Sequence, residues 1–62
     1  MTRQEWIDRY VAAMRAGNSA YPDDQLRAMA ESECDATEST GDINPDEWES
    51  PEVIAQEHLE NE

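Results

Sequence analysis

Large apolar side chains recur at spacings of three and four residues near the start of the chain, at Trp6, Ile7, Tyr10, Val11 and Met14. This spacing is typical of one face of an α-helix. Thr2 followed by Glu5 forms a capping box, which satisfies free backbone N–H groups at a helix start. Gly17 suits the residue after the last turn. The pattern predicts a first helix that begins after Thr2 and ends at Gly17.

A second apolar stripe follows at helical spacing, at Leu26, Met29, Ala30, Cys34 and Thr37. Pro22 with Asp23 and Asp24 is typical of a first helical turn, because acidic side chains there face the positive end of the helix dipole. Gly41 is the expected stop, with earlier fraying at Ser39 and Thr40. A second and longer helix is therefore predicted.

The last third of the chain contains two helix starts. Asn44 and Pro45 begin a short turn, with Ile43 and Trp48 spaced to pack against each other as a hydrophobic staple. Ser50 begins a last helix, whose inner face is extended by Trp48 and Pro51 and continues with Ile54, Ala55, His58 and Leu59. No stretch alternates as a strand would. We predict one all-α domain over residues 1–62: a helical hairpin closed by a short, broken C-terminal helix.

The charge of −12 is distributed very unevenly. Residues 1–27 contain four acidic residues and four arginines, whereas residues 28–62 contain twelve acidic residues and no Lys or Arg. DNA and anionic membranes are polyanions, so direct binding to either is not expected. The expected partner is a basic protein surface, and self-association is left open. The single Cys34 cannot form a disulfide within the chain, which favours a buried thiol in the reducing cytoplasm.

The acidic residues of the second helix define an acidic stripe, which consists of Asp24, Glu31, Asp35, Glu38 and Asp42. At about 100° per residue these positions fall within an arc of roughly 60°, opposite the apolar stripe. Like charges four residues apart destabilise a helix by ~0.2 to 0.5 kcal/mol per pair, and no base nearby in sequence compensates them. Their spacing of ~6 Å along the axis is comparable with that of phosphates along a DNA strand. A merely solvated face and a disordered acidic segment are the alternatives.

The candidate partner-binding residues are this stripe, the cluster Asp46, Glu47, Trp48 and Glu49, and Tyr21. Tyr21 and Trp48 are most simply core aromatic residues; the alternative is that one of them, beside a loop, stays partly exposed as an anchor for a partner. Trp6 and Tyr10 are expected in the core.

The sequence does not predict a metal site, a cofactor or catalysis. Counted from Ala36, Gly41 and Glu47 occupy positions 6 and 12 of a calcium-binding loop, but Ala36 stands where the first ligand is normally Asp. His58 has no nucleophile nearby in sequence and is expected to pack or cap a helix end. Glu33 falls inside the apolar arc, so we expect it at the helix edge or beside Arg3 or Arg9.

In size, in its Lys-free acidic half and in the acidic stripe, the chain resembles small acidic proteins of bacteriophages and mobile elements, some of which mimic DNA and block host nucleases, repair enzymes or CRISPR complexes. The resemblance implies a strategy and names no target. The expected function is non-enzymatic inhibition or regulation by binding a basic, nucleic-acid-binding protein. The alternative is a small structural or adaptor protein that uses apolar contacts and is acidic only for solubility, and a divalent-ion-binding protein is a third class.

Overall fold

The computed structural model describes residues 1–41 and 44–62. Three α-helices, α1 (Arg3–Ala16), α2 (Asp23–Ser39) and α3 (Pro51–Glu60), are joined by a loop and by a segment that contains a 3₁₀ turn, Pro45–Glu47. The described residues contain no strand. The predicted all-α fold, a helical hairpin followed by a shorter C-terminal helix, is confirmed. No helix within the described ranges is long and apolar enough to cross a bilayer.

Helix α1 begins and ends where its capping signals predict. The Thr2 side chain accepts a hydrogen bond from the Glu5 N–H at 3.1 Å. At the other end Gly17 caps the helix, and Asn18 takes the left-handed conformation with φ 59°. The Ser19 and Asn18 N–H groups donate to the carbonyls of Met14 and Arg15, which completes a Schellman motif.

Helix α2 begins at Asp23, with the two acidic residues Asp23 and Asp24 in its first turn. It ends at Ser39, with Thr40 as the cap and Gly41 at φ 103°. A φ near 103° is readily available only to glycine, which explains why Gly41 follows the cap of this helix.

The two predicted starts in the last third are also present. The Asn44 side chain accepts a hydrogen bond from the Asp46 N–H at 3.1 Å and caps the 3₁₀ turn. Ser50 precedes α3, and its hydroxyl donates to Glu52 at 2.9 Å. The predicted staple between Ile43 and Trp48 lies outside the described residues, because Ile43 is not among them.

The core is built mainly on α1. Trp6, Ile7, Tyr10, Val11 and Met14 are all buried, together with Leu26, Ala30 and Cys34 of α2, Trp48, and Pro51 and Ala55 of α3. The rings of Trp6 and Tyr10 stack at 5.7 Å, and Trp48 meets Trp6 edge-on at 6.1 Å. Cys34 is a buried thiol, and burial raises its pKa. Its predicted packing role is confirmed.

Helix α1 is flanked by the other two helices. Arg3 at its start reaches Glu38 near the end of α2, and Arg15 at its end reaches Asp23, so α1 and α2 are antiparallel. The Trp6 indole N–H donates to the Glu49 carbonyl, whereas Gly17 lies against Leu59. Helix α3 therefore runs in the same direction as α1.

Candidate functional site

Every arginine of the chain forms an intramolecular ion pair. Arg3 pairs with both Asp35 and Glu38, and Arg9 pairs with Glu52. Arg15 pairs with Asp23 and Arg27 with Asp8, and all of these distances lie between 2.5 and 3.4 Å. Each pair joins two different helices. The arginines therefore link elements together, and the acidic residues that they do not reach determine the charge of the outer surface.

One end of the acidic stripe is compensated by a base, which corrects the sequence-based expectation. Arg3 donates to Asp35 at 2.9 Å and to both Glu38 oxygens at 3.2 Å. The expectation failed because Arg3 lies 35 residues from Glu38 and only the antiparallel hairpin brings them together. The cost of placing like charges close together is therefore relieved at this end of α2.

The rest of the acidic stripe faces solvent. Asp24 and Glu31 are exposed, and none of the described residues forms an ion pair with either of them. Asp42, the last residue of the predicted stripe, lies outside the described residues. Among the described residues, the carboxylates of the stripe are therefore without an ion-pair partner only along the first part of α2.

The predicted cluster at the 3₁₀ turn is split between surface and core. Glu47 and Glu49 are exposed, and Asp46 accepts a hydrogen bond from the Met1 amino group. Trp48 is only 8 % exposed, so the prediction that it could serve as an exposed anchor is wrong. Its ring is buried because it packs against Trp6 in a core that has few other large side chains to cover α1.

The other candidate anchor, Tyr21, is partly exposed at 38 %, which favours that alternative over a place in the core. It lies in the loop before α2, whereas Asp35 and Glu38 lie near the end of that helix. The 3₁₀ turn lies beside the start of α1, because Asp46 contacts Met1 and Trp48 contacts Trp6. Tyr21 follows the other end of α1, and about 18 Å of helix separates Arg3 at the start from Arg15 at the end. The structure therefore does not bring Tyr21 together with the cluster at the 3₁₀ turn.

One polar chain joins all three helices. The Tyr10 hydroxyl of α1 hydrogen-bonds to His58 Nδ1 of α3 at 2.5 Å, and His58 Nε2 lies 3.3 Å from Glu33 of α2. Glu33 thus lies at the helix edge, as predicted, but its partner is His58, and the expectation of Arg3 or Arg9 was wrong. Local spacing carried no signal for this contact, because the partner belongs to the third helix.

This chain of three groups has the order of a nucleophile, a base and an orienting carboxylate, but its environment opposes such chemistry. Tyr10 as a residue is fully buried. Burial, and then the charge of Glu33, raises the pKa of Tyr10 to about 12, so the phenol stays protonated. A nucleophile needs the opposite shift and access to substrate. The arrangement therefore fits a structural junction.

The calcium-loop alternative is not supported by the local geometry. Its first four positions, residues 36–39, belong to helix α2, and Glu38 at the third position is bound to Arg3. Among the described residues no three His, Cys, Asp or Glu side chains come together as a metal ion would require.

Helix α3 and the two residues after it carry further acidic residues that were not among the predicted site residues. Glu57, Glu60 and Glu62 are exposed, and no arginine pairs with them. Val53 on the same helix is 44 % exposed. The available signal was that Val53 does not share the inner face defined by Ala55 and Leu59.

A groove of about 450 Å³ lies between α1 and α3. We refer to it as the α1–α3 groove, and its apolar lining consists of Ala13, Ala16, Gly17, Ala55 and Leu59. Gln56 and Glu52 of α3 add polar atoms to the lining. The groove places the accessible apolar atoms of Ala13, Ala16 and Leu59 near the unpaired Glu60, to which Gln56 donates a hydrogen bond.

No family model matches this chain, and no curated protein or solved structure matches it. The proposals for its function therefore depend on the ion pairs, the exposed carboxylates and the α1–α3 groove.

Proposed function

We propose that this chain is a non-enzymatic inhibitor or regulator that binds a basic surface of a nucleic-acid-binding protein. The supporting observation is that all four arginines are held in internal ion pairs. The carboxylates that remain unpaired within the described part of the chain are exposed, at Glu5, Asp24, Glu31, Glu47, Glu49, Glu57, Glu60 and Glu62. An outer surface of this kind attracts Lys-rich and Arg-rich surfaces and repels DNA and anionic lipids.

The electrostatic attraction acts first on the encounter between the two proteins. Complementary charge raises association rates, and the effect falls as salt screens the charges. A negative protein surface that occupies a DNA-binding site excludes DNA from it, which is the strategy of the DNA-mimic proteins that this chain resembles. In this proposal the protein acts in the cytoplasm, a reducing compartment that suits a chain with one free cysteine.

The test is affinity capture from a bacterial lysate on the immobilised protein at low salt, followed by elution in a salt gradient. We expect a nucleic-acid-binding protein that elutes as salt rises and that duplex DNA displaces. The purified target should then bind the double variant Asp24→Asn, Glu31→Gln more weakly at low salt and almost equally at high salt. A captured protein that neither salt nor DNA releases would contradict the proposal.

An adaptor that uses apolar contacts is the second candidate, and the α1–α3 groove together with exposed Val53 favours it. An apolar contact is unaffected or strengthened as salt rises. The salt gradient therefore separates the two functions, because the adaptor's partner stays bound where the partner of a DNA mimic elutes.

A further inference from the structure

The α1–α3 groove is open because the residues that face it are small. Ala13 and Ala16 of α1 end at a methyl group and leave space above Ala55 of α3, which forms the buried floor of the groove. The volume of about 450 Å³ falls in the range of sites that bind ligands. Apolar side chains of a partner would find alanine methyl groups and Leu59 there.

The end of the groove is shaped by Gly17. A Cβ atom at Gly17 would collide with Leu59 Cδ1, so the absence of a side chain lets Leu59 lie over the end of α1. Leu59 is partly buried and packs against the core while it also lines the groove. At the other end Glu52 is held by Arg9 at 2.5 Å. Both ends of the groove are therefore built by specific contacts.

The charges beside the groove are predominantly negative. Gln56 lines the groove and donates a hydrogen bond to Glu60, whose carboxylate has no arginine partner. Arg9 is the arginine next to the groove, and its charge is already balanced by Glu52.

We propose that the α1–α3 groove binds an amphipathic α-helix of the partner, with an apolar ridge in the groove and Lys or Arg residues along its flanks. The inference rests on the proposed function, because the basic flanks are those of the basic partner. A helix is a suitable occupant because α1 and α3 run side by side, and α3, with ten residues, is about 15 Å long. Recognition of an amphipathic helix in an apolar groove is a common binding mode.

A second copy of this chain is a poorer occupant than a basic helix. Each copy has a charge of −12, so two copies would bring acidic α3 surfaces together and repel each other. The basic helix instead supplies an opposite charge to Glu60, which is joined to the groove through Gln56.

The experiment uses a synthetic amphipathic peptide of roughly four helical turns, with Leu on one face and Lys on the flanks. Its binding to the labelled protein is followed by NMR amide shifts at low salt. We expect saturable shifts at Gly17, Gln56 and Leu59. Replacing every Lys of the peptide by Gln should weaken binding at least about tenfold, and so should raising the salt.

Two matched pairs of variants locate the contact. Ala16→Leu fills the groove and should reduce affinity about tenfold or more, whereas Ala28→Leu, at an exposed position of α2, should leave it unchanged. Gln56→Arg repels the basic flanks and should weaken binding more than Gln25→Arg on α2, although both change the net charge equally. These positions lie outside the buried core, and circular dichroism checks that each variant folds.

Shifts confined to α2, or equal affinities for Ala16→Leu and Ala28→Leu, would show that the α1–α3 groove is not the binding site. The proposed function would not be affected by either result. Groove binding that is indifferent to salt and to the Lys-to-Gln peptide would overturn the basic flanks and contradict the proposed function. A dimer seen by sedimentation and abolished by Ala16→Leu would assign the groove to a second copy, which also overturns this inference.

Discussion

The two sides of α1 differ in both packing and charge. On one side α2 buries Leu26, Ala30 and Cys34 almost completely. On the other side α3 buries Pro51 and Ala55, while its larger aliphatic side chains remain partly or largely exposed. Three of the arginine ion-pair sites join α1 to α2, and only Arg9 joins α1 to α3.

This difference separates the surfaces that stabilise the fold from those that remain for a partner. Around the α1–α2 contact, opposite charges from the two helices balance each other and large side chains are covered. Around α3, unpaired carboxylates and uncovered apolar surface occur together. The sequence-based prediction placed the partner on the acidic stripe of α2, on the cluster at the 3₁₀ turn and on Tyr21, whereas the site that we propose lies between α1 and α3.

The largest expected effect comes from a cavity in the core between α1 and α2. Leu26→Ala removes a fully buried side chain and should lower the free energy of unfolding by about 2 to 5 kcal/mol, which is enough to unfold much of so small a domain. Ala16→Leu, on the side of α1 that faces the α1–α3 groove, should change the free energy of unfolding by less than about 0.5 kcal/mol. Urea denaturation measures both. Equal effects of the two substitutions would remove the distinction between the two sides.

A smaller effect is expected at the junction of all three helices. Tyr10→Phe removes the hydroxyl that contacts His58 and should cost about 1 kcal/mol at neutral pH. The folded pKa of Tyr10 is about 12, above the ordinary value of 10.0, so its contribution to stability is complete below pH 10 and is lost as the pH rises through 12.

The urea midpoint measured from pH 8 to pH 12 checks this dependence. In Tyr10→Phe the urea midpoint should fall less as the pH rises, because the contribution of Tyr10 is gone. The matched control Tyr21→Phe, at an exposed position, should show the same fall as wild type. Burial also raises the pKa of Cys34, so both variants should lose some stability at high pH from this thiol. Identical pH profiles for the two variants would contradict the junction.

The charge pairing around α2 is tested by Arg3→Gln. This change leaves Asp35 and Glu38 without their base and should destabilise the protein by up to about 1 kcal/mol at low salt, and by less at high salt. Arg15→Gln removes a single ion pair of 3.4 Å and should have a smaller effect. Thermal denaturation at two salt concentrations measures the difference, and a larger loss for Arg15→Gln would refute this order.

The smallest effect is expected from the ion pair beside the groove. Burial acts to raise the pKa of Glu52, but hydrogen bonds from Arg9 and Ser50 outweigh it and the pKa is lowered. The stability that the carboxylate contributes is therefore present above its unfolded pKa and is lost as the pH falls through the folded value.

Glu52→Gln should cost about 0.5 kcal/mol at neutral pH, because both partners are largely exposed, and the difference from wild type should vanish in acid. Glu57→Gln on the same helix is the control, since Glu57 has no arginine partner and its loss should not destabilise the fold. Urea titrations at pH 7 and pH 3 compare the two, and a Glu52→Gln penalty that persists at pH 3 counts against the ion pair as its cause.

Much of the fold was predictable because its signals are local. The N-cap at Thr2, the cap at Asn44 and the stop at Gly41 act on backbone groups within four residues, and each lies where the sequence places it. The partners of Glu33 and Arg3 were not predictable in this way. They depend on how helices that are distant in sequence lie beside each other.

The exposure of the aromatic side chains shows the same division. Tyr21 and Trp48 both lie beside loops, and the sequence treats them alike as candidate anchors. Only Trp48 is covered, because the turn before α3 folds it against Trp6, whereas Tyr21 stays in the loop between α1 and α2. Local sequence does not distinguish them, since burial depends on the element that packs across the side chain.

The sequence by itself determined the helices, the apolar face of each and the excess of acidic residues, because periodicity, capping and composition are properties of neighbouring positions. Only the tertiary structure decided which carboxylates are paired, which aromatic side chain is exposed and where a groove remains. Those outcomes depend on contacts between residues up to 48 positions apart, and such contacts exist only after the three helices have packed.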